Sequence, residues 1–77
     1  MKQNQTLTLR NGKGEPLVVR LEPWADELTL GPGESLNLDF QGPEGGIIEV
    51  EAEEDAIVVY GWVSSTVEVR RNGSSGE

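Results

Sequence analysis

The sequence predicts an all-β fold: a small antiparallel β-sandwich, or a jelly-roll-like barrel, of about seven short strands. Three observations carry this. Apolar side chains recur at every second position, as in Leu36-Asn37-Leu38-Asp39-Phe40 and Ile48-Glu49-Val50-Glu51-Ala52; a period of two puts one face of a strand in a core and the other in water. Glycine and proline clusters punctuate the alternating segments. No stretch combines helical spacing, a cap and sufficient length.

The strands are expected near residues 5–10, 16–22, 26–30, 35–40, 46–53, 55–60 and 65–71. Asn11-Gly12-Lys13-Gly14 separates the first two. Pro32-Gly33 suits the central positions of a type II turn, where proline fixes φ and glycine accepts a positive φ; it should join the third and fourth strands by a hairpin or a sharp corner. Gly42-Pro43-Glu44-Gly45-Gly46 should link the fourth to the fifth. Residues 1–71 read as one domain and 72–77 as a disordered tail.

Three runs break the alternation: Leu17-Val18-Val19, Ile47-Ile48 and Ala56-Ile57-Val58-Val59-Tyr60. Such strands carry apolar side chains on both faces, so the second face needs a cover. A chain of 77 residues also sits near the lower limit for a self-sufficient core. Together these features point to a homo-oligomer. The competing explanation is that valine supplies β-propensity on an outer face.

The chain has no cysteine and no histidine. Disulfides, thiolate metal sites and the commonest general base are thereby excluded. The net charge is −8, and every charged residue between Leu21 and Val69 is a carboxylate. The basic residues lie at the two ends: Lys2, Arg10, Lys13, Arg20, Arg70 and Arg71. An acidic body disfavours nucleic acid and anionic membranes, both of which need a cationic surface. It suits a basic protein partner. Arg10, Arg20, Arg70 and Arg71 are expected to pair with carboxylates of the middle strands. The start, Met1 to Gln5, is polar and no run reaches membrane-span length, so the expectation is a cytoplasmic protein.

The stretch from Pro16 through Trp24 to Leu30, followed by Gly31-Pro32-Gly33-Glu34-Ser35-Leu36, resembles short bacterial all-β proteins. Its cadence of strand, Pro-Gly-Glu turn and strand is similar to that of the cupin or jelly-roll class. The resemblance, from Leu17 to Val69, implies a double-sheet architecture. Metal-dependent cupins place two or three histidines and a glutamate in the barrel. This chain has no histidine, so neither metal nor activity carries over.

The densest carboxylate cluster is Glu49, Glu51, Glu53, Glu54 and Asp55. A row along a strand does not converge on one cation, which wants six to eight oxygens. Convergence would need help from a loop such as Trp24-Ala25-Asp26-Glu27, and no metal or other cofactor is expected. Ser35, Ser64, Ser65 and Thr66 have no base to activate them, so the chain reads as a non-enzyme. The residues singled out for ligand or partner binding are Trp24, Asp26, Glu27, Tyr60 and Trp62. Both tryptophans sit at turn-like positions. Such residues either cover the open end of a sandwich or stand exposed as stacking platforms. Two functions follow: a structural or protein-interaction module that self-associates, or a module binding a small, carbohydrate-like ligand through its tryptophans.

Overall fold

The alternation of apolar and polar residues produces two sheets whose apolar faces meet. The computed structural model describes residues 1–72. Its strands are β1 (Lys2–Arg10), β2 (Leu17–Glu22), β3 (Asp26–Leu30), β4 (Ser35–Pro43), β5 (Glu49–Ala52), β6 (Ala56–Tyr60) and β7 (Thr66–Asn72). A three-stranded sheet has the order β1-β4-β7 and a four-stranded sheet the order β3-β2-β6-β5. The fold is therefore the small all-β sandwich that the periodicity predicts. No helix among the described residues is long and apolar enough to cross a membrane.

Four pairings are antiparallel, and β2–β6 is parallel. Both β2 and β6 leave toward the same end of the sandwich. There, Gly61 N donates to Glu22 O at 2.9 Å and extends the ladder.

The core holds Val19, Leu21, Leu30, Leu36, Leu38, Phe40 and Val59, each essentially inaccessible to solvent. Complete burial of such a side chain stabilises by about 1.5–3 kcal/mol. Leu7, Leu9, Leu28, Ile48, Ile57 and Val67 pack around this cluster.

The boundaries depart from expectation by more than one residue at three places. β1 begins at Lys2, because Gln3 and Gln5 occupy inward positions and both donate through Nε2 to Gly46 O, at 3.0 and 3.1 Å. β4 runs through Gly42-Pro43, so the turn to β5 starts two residues later, at Glu44. β5 is only four residues long. The Pro32-Gly33 turn forms as expected, with Gly33 at φ 80° and Glu34 N bonded to Gly31 O at 3.1 Å. It is a corner between sheets, since β3 and β4 lie in different ones. Asn72 closes β7, and the remainder of the expected tail, 73–77, lies outside the described residues.

The two sheets differ in width, and the burial pattern records it. On the inner face, Val59 of β6 is sealed, while its neighbour in register, Val50 of β5, is 49% exposed. Ala52, the next inward residue of β5, is exposed too. Three strands thus cover β3, β2 and β6 but leave β5 bare.

Candidate functional site

The β2–β3, β4–β5 and β6–β7 connections gather at one end of the sandwich and bring both tryptophans together. Trp24 and Trp62 flank Phe40, with ring centroids 6.2 Å from it on each side. The Trp62 indole donates to Pro43 O at 2.9 Å. Glycines make room for the rings: a Cβ on Gly46 would overlap the Trp62 indole, and one on Gly61 would overlap Trp24. A Cβ on Gly42 would lie 2.8 Å from Ser65 Cα. The β6–β7 loop is fixed by Ser65, whose N and Oγ both donate to Trp62 O, at 2.9 and 2.6 Å. Ser64 adopts φ 66° to make this turn, and Ala25 adopts φ 61° beside Trp24. The tryptophans close the end of the core, with Phe40 against both rings and Gly46 against the Trp62 ring.

Of the other residues singled out from sequence, Tyr60 shares a hollow with Trp62, while Asp26 and Glu27 lie outside that hollow. Asp26 opens β3 and is exposed. Glu27 and Tyr60 belong to the outer face of the four-stranded sheet, where register sets Glu27 beside Arg20 and Tyr60 between Glu22 and Glu49. Strand alternation adds Glu51 to this face, and Glu53 reaches it from the β5–β6 turn, giving, among the described residues, five carboxylates around Arg20. Arg20 lies 3.6 Å from Glu27 and 3.2 Å from Glu53. Tyr60 Oη donates to Glu51 Oε1 at 3.0 Å. That bond, with some desolvation and the charges of Glu51, Glu53 and Glu22, pushes the Tyr60 phenol above its ordinary value.

These polar side chains explain the apolar run in β6. Ala56 and Val58 face outward yet are 5% and 4% exposed. Val58 sits in register between Arg20 and Glu51, two long side chains that can shield it while staying in contact with water. At Ala56 and Val58 the outer side of β6 is therefore buried within the single chain. Above Tyr60 the face runs into a shallow hollow lined by Glu22, Pro23, Tyr60, Gly61, Trp62 and Val63. Val63 is 86% exposed, and Ile47, on the adjoining loop, is 72% exposed.

The outer face of the three-stranded sheet has a different character. Thr6 donates to Asp39 at 2.9 Å and Thr8 to Asn37 at 2.8 Å. Arg70 Nε donates to Asp39 at 2.9 Å. The Arg70 bond first, then the Thr6 bond, holds the Asp39 carboxyl below its ordinary value. Arg71 reaches the other sheet, donating to Thr29 O at 3.0 Å and lying 3.7 Å from Glu34. Three of the four expected arginine pairings thus form; Arg10 makes no ion pair among the described residues.

At the far end, one residue that sequence reasoning treated only as a turn former ties three segments together. Asn11 is 1% exposed. Its Nδ2 donates to Glu15 O and Leu30 O at 2.8 and 3.0 Å, and its Oδ1 accepts from Lys13 N at 2.9 Å. The β5–β6 turn with Glu54 and Asp55 is at this end too, opposite Trp24 and Asp26, so those two acidic segments do not converge on a common cation. No protein-family model, no curated protein and no solved structure matches the chain.

Proposed function

We propose that the protein is a non-enzymatic interaction module that binds a basic segment of a protein partner. The observation that carries this reading is the continuity between five carboxylates on one sheet face and the apolar hollow of Pro23, Tyr60, Trp62 and Val63 at its end. A segment with lysines or arginines and one apolar side chain matches that surface. The cations would meet Glu22, Glu49 and Glu51, and the apolar group would cover Val63. Charge complementarity of this kind governs partner choice and association rate.

The carbohydrate-like reading is weaker, because Trp62 spends its N–H on Pro43 O and its ring packs on Phe40 and Gly46. Self-association would need a surface other than the outer side of β6, where Ala56 and Val58 are already covered.

Titration with a synthetic peptide of lysines around a central leucine, followed by tryptophan fluorescence, tests the proposal. Saturable binding that weakens with salt and with Val63→Ser or Glu49→Gln supports it. A salt-independent response, or one indifferent to both substitutions, refutes it.

A further inference from the structure

The unequal widths of the two sheets leave a vacancy beside β1. β1 pairs only with β4, so one edge of a nine-residue strand has no partner strand among the described residues. The inner face of β5 is uncovered, and β5 lies at the edge of the four-stranded sheet on the β1 side. Gln3 and Gln5 fix this placement, because both bond the backbone of Gly46, three residues before β5. Past that bridge, on β5 itself, the inward residues Val50 and Ala52 stand exposed. A fourth strand added to the β1-β4-β7 sheet would pair with that edge and place alternate side chains over them.

Charge narrows the occupant. Of the six lysines and arginines, Lys2 and Arg10 are the two without an ion pair among the described residues. They sit at the two ends of β1, about 27 Å apart at roughly 3.4 Å per residue. Both are outward-facing in a chain of net charge −8. A second copy of this chain fits poorly, because two β1 strands paired in register about Thr6 would set Lys2 against Arg10.

We infer that the free edge of β1 and the bare face of β5 form a strand-accepting groove for an extended segment of a partner protein. That segment is apolar at alternate positions and acidic at both ends. The groove is separate from the carboxylate face, which lies on the opposite side of the four-stranded sheet, and the inference does not depend on that face binding anything.

The probe is a synthetic nonapeptide alternating valine and threonine, with a glutamate at each end, added to the full chain and followed by amide NMR. The expected result is movement of the β1, Val50 and Ala52 signals, with slowed amide exchange along β1. Lys2→Glu/Arg10→Glu, both exposed, should weaken binding about tenfold. Val50→Glu, on a side chain already half in water, should abolish it while the free protein's spectrum stays folded. Absence of shifts at millimolar peptide, shifts confined to β3 or β7, or equal binding by the variants would overturn the inference.

Discussion

Replacing Asn11 by alanine tests how the end of the sandwich opposite the tryptophans is held. The substitution deletes three hydrogen bonds from a side chain that is 1% exposed. Their loss is not uniform. Lys13 N and Glu15 O lie in an exposed loop, where water can replace the amide. Each of those bonds is worth about 0.5–1 kcal/mol net. Leu30 O is different, because its bond is buried and Leu30 itself is inaccessible. A stranded buried carbonyl costs about 1–3 kcal/mol. The sum is a loss of about 2–5 kcal/mol, which in a domain this small lowers Tm by roughly 8–40 °C. Urea unfolding followed by tryptophan fluorescence measures it directly. The comparison is Asn37→Ala, which removes an exposed bond from Thr8 at 2.8 Å and should cost less than about 1 kcal/mol. If Asn11→Ala unfolds within about 0.5 kcal/mol of the wild type, the linking role assigned to Asn11 is wrong.

Three further outcomes are expected. Gly46→Ala should destabilise strongly and shift the tryptophan emission to the red, because its Cβ would displace Trp62 from Phe40; an unchanged spectrum and Tm would contradict the packing. Asp39 has a lowered carboxyl value, so its contribution is present above the unfolded value near 3.8 and disappears as pH falls through the folded one. The stability gap between wild type and Asp39→Asn should therefore be open at neutral pH and closed in strong acid; a gap independent of pH would refute the Arg70 pairing. Tyr60 is shifted the other way, so its contribution is present below 10.0 and lost as pH rises through the folded value. Its tyrosinate absorbance should appear above 10.0, and Glu51→Gln should bring that midpoint down.

Much of the architecture was legible because periodicity and turn chemistry are local signals. Leu36, Leu38 and Phe40 alternate and all are buried, and Pro32-Gly33 forms the turn its residues demand. What escaped sequence reading depends on contacts distant in the chain. Gln3 and Gln5 are polar, so their inward positions on β1 carry no apolar signal; they point in because Gly46 O is there to accept. The parallel β2–β6 pairing joins strands whose intervening chain visits the other sheet. Asn11 looks like any turn asparagine until β3 supplies a buried carbonyl. The candidate site divided in the same way. Trp24 and Trp62 do meet, through Phe40, but as a closure of the core. Tyr60 and Glu27 joined the acidic face because register, which no single segment reveals, sets β6 between β2 and β5.

Mapping the lysine–leucine peptide by amide and indole NMR tests the interaction surface most directly. Salt-sensitive shifts at Glu22, Glu49, Glu51, Tyr60 and Val63, with a smaller one at the Trp62 indole, are the predicted result. An unperturbed spectrum, or shifts that fall instead on the β1-β4-β7 face, would contradict the proposal that the acidic face and its apolar hollow form one binding surface.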